Sequence, residues 1–278
     1  MKIIKNSGDI VDFNPEKLRK SLLRSGADAI AVEGIMAHIH GKLHNGMRTR
    51  EIYRLAGKML KKISASHAAR YNLRAAIQQL GPAGFFFEKF VSLLFMSEGY
   101  ITKTNLMLQG NCVLHEIDIV LKKMDILTMV ECKFHAGSNA VSDVKVPMYI
   151  LSRFNDIKDS RHQIFSNSET IDKCLIVTNN RFTVDAITFA GCSGLEMLSW
   201  DYPSENNLKT KIDIGVLYPL TCLTTLSMVE KEKLLILNII LVKQLIDSSD
   251  TLLKIGVSEG RKKNILNEAA GLCNYFIK

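Results

Sequence analysis

Several features that would assign this 278-residue chain to a special class of protein are missing from its sequence. The six cysteines form no CxxC pair, which fits reduced thiols in a cytoplasmic protein better than a disulfide framework. The longest apolar run, residues 234–242, contains Asn238 and is shorter than the roughly 20 residues of a membrane span. Residues 1–5 lead directly into polar residues, unlike a signal peptide. We therefore expect a cytoplasmic protein without a membrane partner.

The charge of the chain is unevenly distributed. The net charge is +8, but residues 1–80 contain 15 Lys and Arg against 6 Asp and Glu, whereas the remaining residues contain 21 against 22. A basic segment of this kind favours a polyanionic partner, either nucleotide phosphates or a nucleic-acid backbone. The alternative is a helical surface whose lysines and arginines are simply solvated.

The length and the 47% apolar content predict two or three packed domains, which we place at residues 1–80, 82–203 and 204–278. The first is predicted to be a β-hairpin turning at residues 6–8, then a helix capped by Asn14 and further helices at 28–45, 50–63 (capped by Thr49) and 65–80. The segment Gly81-Pro82-Ala83-Gly84 marks the boundary that follows.

The pattern beyond this boundary predicts a mixed α/β domain, with helices packed against a central sheet. A helical region follows it, with an apolar helix over 234–246 and another over 261–273. In the α/β domain, we predict strands at 101–108, 115–121, 127–134, 173–178 and 195–200, and helices at 85–96, 141–157 and 183–190.

Three charged residues interrupt two of these apolar strands. Side chains alternate across a strand, so Glu131 and Lys133 share one face, and a hairpin over 122–125 would bring Asp118 to them. Buried charges of this kind are costly unless they are paired or bind a metal. Two carboxylates with backbone and water oxygens suit Mg²⁺, and a nearby lysine can orient a water and offset negative charge. Glu88, early in the preceding helix, is a candidate fourth member.

These residues resemble the PD-(D/E)XK nuclease superfamily, and within it the Mrr-like restriction endonucleases. The resemblance covers residues 82–200 and rests on Gly84-Phe-Phe-Phe-Glu88, His115-Glu-Ile-Asp118 and Glu131-Cys-Lys133. It implies that Asp118 and Glu131 bind Mg²⁺ or Mn²⁺, that Lys133 is the catalytic lysine and that Glu88 is the helix carboxylate. The implied activity is metal-dependent hydrolysis of DNA, which is expected to be double-stranded.

Two other interpretations apply to the same strands. One is a surface ion-pair cluster, or a nuclease fold retained only for binding. The other is structural zinc, because Cys112 and His115, and Cys132 and His135, have zinc-like spacing. Positions three apart on a regular strand point to opposite faces, so the zinc pairs would need turns or bulges. Otherwise His115 and His135 flank the site or contact phosphate.

The first 80 residues resemble the ATP-cone, a nucleotide-binding regulatory module. The resemblance rests on residues 3–8 and 10–18, and it continues through Ile52 in the third helix to residues 69–74. It implies an ATP or dATP site in which Lys5 and Lys17 contact phosphates and Ile3 and Asn14 line the pocket. The sequence has no P-loop, so binding rather than ATPase activity is expected. The alternative is a helical domain whose lysines contact DNA.

The C-terminal helices give a weaker signal. Residues 252–270 loosely resemble a helix-hairpin-helix, with basic residues near a turn at Gly256; a packing or dimerisation module is the alternative. The leading hypothesis is therefore a cytoplasmic, Mg²⁺-dependent DNA endonuclease controlled by ATP or dATP. A homo-oligomer is expected, because cleaving two strands usually needs two sites and ATP-cones often associate. The competing hypothesis is a non-catalytic, nucleotide-responsive DNA-binding or regulatory protein.

Overall fold

A computed structural model of the chain describes residues 1–5, 7–81, 84–137 and 139–274. It contains two compact units: Met1–Ile77 with Tyr218–Lys278 form the first unit, and Gln78–Leu217 form the second. The predicted third domain is thus divided, since residues 204–217 belong to the second unit. Asn6 of the predicted turn, and Pro82 and Ala83 of the predicted boundary, lie outside the described residues.

The first unit begins with the predicted hairpin, and the first strand of the hairpin also pairs with a third strand that the sequence did not predict. The antiparallel register aligns Ile3 with Val11, and the third strand runs parallel to the first. The Asn14 side chain accepts a hydrogen bond of 3.2 Å from the Lys17 N–H, which confirms the predicted cap. The elements are β1 (Lys2–Ile4), β2 (Ile10–Asp12), α1 (Pro15–Arg24), α2 (Ala29–His40), β3 (Met47–Arg48), α3 (Thr49–Ile63), α4 (Ala65–Tyr71) and α5 (Leu73–Gln78).

Three of the helix boundaries predicted in this segment are wrong. The helix expected over 28–45 ends at His40. Thr49 is the first residue of α3 rather than its cap. The helix expected over 65–80 is divided at Asn72 into α4 and α5. Asn readily bonds to nearby backbone groups outside a helix, which makes it a common terminating residue.

The second unit is the predicted mixed α/β fold. Its five-stranded sheet has the order β10-β8-β6-β5-β4, in which β4, β5 and β6 are antiparallel neighbours and β6, β8 and β10 are parallel. The elements are α6 (Phe85–Ser97), β4 (Ile101–Gln109), β5 (Leu114–Lys123), β6 (Ile126–Lys133), β7 (Val141–Ser142), α7 (Lys145–Ile157), β8 (Lys173–Thr178), β9 (Arg181–Phe182), α8 (Val184–Cys192), β10 (Glu196–Leu198) and α9 (Leu208–Gly215).

The position of β6 explains its composition. It lies between β5 and β8, and the residues from Leu127 to Val130 are all buried, as expected for a central strand covered on both faces. The predicted hairpin joins β5 to β6, with Met124 in the left-handed conformation at φ 53°. The helix expected from residue 141 was wrong at its start, because Val141 and Ser142 pair with β9 before α7 begins.

The C-terminal part of the first unit contains a 3₁₀ turn (Leu220–Cys222), α10 (Met228–Ile236), α11 (Val242–Asp247), α12 (Thr251–Lys254) and α13 (Glu259–Cys273). The single helix predicted over 234–246 is wrong. Asn238 adopts φ 61°, and the following segment is extended, with Leu220 N–H donating to Ile240 O at 2.7 Å and Val242 N–H to Tyr218 O at 2.9 Å. Asn tolerates this left-handed conformation, which interrupts the helix.

The C-terminal helices pack against the N-terminal ones within the first unit. Arg70 of α4 donates to the Leu272 carbonyl of α13 at 3.3 Å, and the Thr221 hydroxyl donates to the Ala76 carbonyl at 2.7 Å. Gly256, where the sequence predicted a turn, has φ 92° and lies between α12 and α13. Among the described residues, no helix is long and apolar enough to cross a bilayer.

Candidate active site

Asp118 and Glu131 lie where the hairpin of β5 and β6 opens. The register pairs Lys123 with Ile126 and ends at Ile119 with Val130, so the next opposed residues are Asp118 and Glu131. The regular backbone pairing of β5 with β6 has stopped at this point. Instead, Asp118 Oδ2 accepts a hydrogen bond of 2.7 Å from the Cys132 N–H. This contact occupies one oxygen of the carboxylate.

The other neighbour of Asp118 is irregular too. In β4, Thr104 pairs with Ile119 and Leu106 with Ile117, which leaves Asn105 opposite Asp118 without a ladder pair. Asn105 has φ 54°, a left-handed conformation that is unusual inside a strand. The backbone is thus irregular on both sides of Asp118, at a sheet position that the sequence alone assigned to regular strand.

Glu131 is only 4% exposed and forms ion pairs with two basic side chains. Its Oε1 lies 2.5 Å from Lys133 Nζ and its Oε2 lies 2.7 Å from Arg153 Nη1. Lys133 was predicted at this site, but Arg153 of α7 was not. The Arg153 guanidinium also donates to the Glu116 carbonyl and lies 5.7 Å from the centre of the Tyr149 ring. The i,i+4 spacing of Tyr149 and Arg153 places both on one face of α7.

Glu88 is in the first turn of α6. This helix begins after Gly84, whose φ of 83° favours glycine, and a Cβ there would lie 3.5 Å from both Glu88 Oε1 and Phe134 Cβ. The Phe87 ring packs against Phe134 with ring centres 5.7 Å apart, which fixes the start of α6 beside the end of β6. Partial burial, and then the charges of neighbouring carboxylates, Asp118 first among them, raise the pKa of Glu88 to about 7.

The site carries more negative than positive charge. Burial, followed by the Glu131 charge, raises the pKa of Asp118 to about 6. Besides burial, the charges of three carboxylates, those of Asp118, Glu116 and Glu131, raise the pKa of Glu88. Two basic side chains, those of Lys133 and Arg153, form ion pairs with Glu131. A divalent cation would balance this surplus, and hard oxygen donors are the ligands that Mg²⁺ prefers.

A cation held by Asp118 and Glu131 would keep part of its water shell. Among the described residues, no three His, Cys, Asp or Glu side chains are grouped so that they could hold a metal ion. Asp118 and Glu131 would therefore leave positions to backbone and water oxygens, as Mg²⁺ sites commonly do. Binding would also release protons from carboxylates whose pKa is raised.

An open cleft of about 320 Å³ is lined by Glu116, Asp118, Glu131 and Arg153, and also by Leu114, His115 and Tyr149. His115 Nε2 lies 2.7 Å from Asp156 Oδ2, and the Asp156 carboxylate also accepts from the backbone N–H groups of Cys112 and Val113. The His115 contact and these N–H bonds lower the pKa of Asp156 to about 2. Asp156 lies on α7, one helical turn beyond Arg153. Its hydrogen bonds therefore connect α7 to the turn between β4 and β5.

The histidines and cysteines considered for zinc make other contacts. The His135 N–H donates to Asn179 Oδ1 at 2.8 Å, and its ring Nε2 lies 3.0 Å from the Ser142 hydroxyl. Burial, and then the Lys133 charge, lower the pKa of His135. Cys112 is exposed, whereas burial raises the pKa of the Cys132 thiol well above its usual value.

The four predicted nucleotide-binding residues belong to the first unit, where Ile3 is on β1, Lys5 follows β1, and Asn14 and Lys17 are at the start of α1, in different surroundings. Ile3 is 6% exposed and belongs to the apolar core formed with Leu18 and Met47. The Asn14 side chain is engaged as the cap of α1, while Lys5 and Lys17 are exposed. Ile3 and Asn14 thus have structural roles, and the lysines are accessible to phosphates.

Comparison with known proteins gives likenesses without a described activity. The C-terminal residues 218–273 match a family described as AF1548-like, C-terminal. An uncharacterized protein of Archaeoglobus fulgidus is 29% identical over 180 residues, which is 63% of this chain and 95% of that protein. A solved structure titled as a protein of unknown function, AF1548, is 28% identical with a TM-score of 0.57, and the match covers 68% of this chain and 98% of that one.

Proposed function

We propose that this protein is a Mg²⁺- or Mn²⁺-dependent endonuclease that hydrolyses phosphodiester bonds of double-stranded DNA. The observation that carries the proposal is that Asp118 and Glu131 lie opposite each other at the open end of the hairpin and both line an accessible cleft, with Lys133 paired to Glu131. The PD-(D/E)XK resemblance supports the same assignment. The known relatives neither add to it nor oppose it, since their activity is not described.

The proposed chemistry assigns a distinct task to each side chain. Asp118 and Glu131 would hold the cation, which would supply a Lewis acid and a water of lowered pKa. Lys133 would orient the attacking water and offset the negative charge that develops on the phosphate. Arg153 is a positioning residue, because it fixes Glu131. Glu88, with its pKa near 7, can accept or donate a proton at neutral pH.

We also propose that ATP or dATP bound to the N-terminal segment regulates the cleavage. The support is the ATP-cone resemblance, the hairpin followed by α1, and the accessibility of Lys5 and Lys17. Calorimetry with ATP and dATP tests the binding directly, and absence of heat at high protein concentration would remove this part of the proposal. A homo-oligomer belongs to the same proposal, because double-strand cleavage needs two sites.

One observation favours the alternative of a non-catalytic DNA-binding or regulatory protein. Both oxygens of Glu131 are engaged by cations of the chain itself, as they would be in a nuclease fold that no longer binds metal. Under this alternative the acidic site is structural, and substitutions in it change stability without changing any metal-dependent activity.

Plasmid cleavage separates the two functions. We expect the wild-type protein to nick or linearise supercoiled plasmid with Mg²⁺ or Mn²⁺, and we would measure it with and without ATP or dATP. Asp118→Ala and Lys133→Ala should each lower the rate by about 100-fold or more, because each removes transition-state stabilisation. Asp125→Ala, in the exposed turn of the same hairpin, is the control. If all four proteins behave alike, the nuclease proposal fails.

A further inference from the structure

The surface of α3 carries a row of cations. Arg50, Arg54, Lys58, Lys61 and Lys62 are all exposed, and we call these five residues the α3 stripe. At 3.6 residues per turn they fall within an arc of about 120°. The opposite side of the helix is apolar and is buried in the core of the first unit, through Ile52, Ala56 and Leu60. The stripe is therefore the solvent face of an otherwise well-packed helix.

The stripe is not neutralised by the protein. Within the described parts of the chain, none of its five side chains forms an ion pair, although Lys61 Nζ donates to the Thr224 carbonyl at 2.8 Å. The acidic residue of α3, Glu51, is half-buried and accepts from the Arg48 N–H. Elsewhere in the same unit, Arg261 pairs with Glu230 and Lys262 with Asp250.

The helix itself does not require most of these charges. Lys61 and Lys62 are in the last turn, where cations interact favourably with the helix dipole. Arg50 is in the first turn, where a cation is unfavourable, and Arg54 repels both Arg50 and Lys58, which lie four residues before and four residues after it. The helix is therefore made less stable by Arg50, Arg54 and Lys58. A bound polyanion would offset their mutual repulsion.

We propose that the α3 stripe binds the phosphate backbone of double-stranded DNA. From Arg50 to Lys62 the stripe extends about 18 Å at 1.5 Å per residue, which is far longer than the phosphates of one nucleotide and matches a regularly charged polymer. An anionic membrane fits less well, because an interfacial helix inserts its apolar face and that of α3 is buried. The inference does not require that the protein cleaves DNA.

The test measures binding in the absence of cleavage. A fluorescently labelled duplex of random sequence is titrated with the full-length protein in EDTA, across about 50 to 200 mM salt. The triple variant Arg50→Gln, Arg54→Gln, Lys58→Gln is compared with wild type. Gln has a helix propensity close to those of Arg and Lys, so the helix is preserved. We expect about tenfold weaker binding or more, and a salt dependence whose slope falls by about one per residue removed.

The matched control removes the same number of charges elsewhere. Lys173→Gln, Arg181→Gln and Lys262→Gln together delete three cations that are paired with Glu196, Asp201 and Asp250. The proposal is overturned if this control weakens binding as much as the stripe variant does, if wild type does not bind, or if anionic vesicles or an RNA duplex bind more tightly than DNA. Because EDTA prevents metal-dependent cleavage, a failed nuclease assay leaves this result unaffected.

Discussion

The cleft of the second unit and the α3 stripe of the first unit both concentrate charge, but in opposite ways. In the cleft, the side chains of Glu131 and Arg153 are only 5% and 12% exposed, and each has a partner. In the stripe, the cations are exposed and make no ion pair with the described residues. Burial forces pairing, because removing a charge from water costs several kcal/mol, whereas exposed charges pay no such penalty.

The difference separates two kinds of functional charge. Cleft residues are part of the folded structure, so a substitution there alters stability and chemistry together. Stripe residues contribute little to the fold, so a substitution there should alter binding strongly and stability only slightly.

The largest effect is expected from Arg153→Met. Methionine retains much of the apolar contact of the arginine but leaves Glu131 with Lys133 alone. We expect the free energy of unfolding of the second unit to fall by about 3 kcal/mol, the lower end for breaking a buried pair, because one partner remains. Trp200, the single tryptophan of the chain, lies in this unit, so its fluorescence during urea unfolding reports the change.

A double variant shows whether the loss comes from the ion pair. Arg153→Met combined with Glu131→Gln should be less destabilised than the sum of the single variants, because Gln no longer carries an unpaired charge. Lys173→Met is the control, since it breaks an exposed pair with Glu196 and should cost less than about 1 kcal/mol. Strictly additive effects of Arg153 and Glu131 would mean that the pair does not stabilise the cleft.

Arg153 also shows where prediction from the sequence ends. The period-two alternation and the short hairpin correctly brought Asp118, Glu131 and Lys133 to one region of a sheet, because these are local rules. Arg153 reaches Glu131 from a helix 22 positions away, and nothing in its own segment distinguishes it from a solvated arginine. The left-handed Asn105 beside Asp118 was missed for the same reason, since its conformation depends on the neighbouring strand.

The fold shows the same limit. The strands, the hairpin over 122–125 and the Asn14 cap followed from local patterns. The run over 234–246 was assigned to one helix because apolar content does not separate a helix from a buried extended segment. Its break depends on Asn238 and on pairing with Tyr218 and Leu220. The packing of the C-terminal helices with the N-terminal ones is a long-range contact that no local pattern encodes.

The second prediction concerns pH. The pKa of Asp118 is raised to about 6 in the folded protein, so between pH 4 and pH 6 the folded state binds more protons than the unfolded state. Asp118 therefore makes the free energy of unfolding of the second unit fall as pH rises through this window, and Glu88, whose pKa is raised to about 7, acts in the same direction. Asp118→Asn removes the Asp118 contribution and can still accept from the Cys132 N–H. Above pH 7, we expect this variant to be more stable than wild type by about 1 to 2 kcal/mol after solvent screening.

Parallel unfolding curves from pH 4 to pH 8 in EDTA provide the measurement. Asp159→Asn, at an exposed position, should follow the wild type throughout. Adding Mg²⁺ should stabilise the wild type but not Asp118→Asn, because a ligand stabilises only the state that binds it. If the free energy of unfolding depends on pH in the same way for wild type and Asp118→Asn, the pKa of the Asp118 carboxylate is not raised. The excess of negative charge in the cleft would then no longer support a metal site there.

The smallest effect, opposite in sign to that of Arg153→Met, is expected from Arg54→Gln in the α3 stripe. The substitution removes the like-charge i,i+4 contacts with Arg50 and Lys58, so the first unit should gain about 0.5 kcal/mol at low salt and less at high salt. Arg261→Gln in the same unit breaks a pair with Glu230 and should instead destabilise. Urea unfolding followed by far-UV circular dichroism compares them, with the Trp200 transition unchanged as an internal reference. If both variants destabilise alike at low salt, Arg54 has a structural partner, and the stripe is no longer a set of charges held for an external ligand.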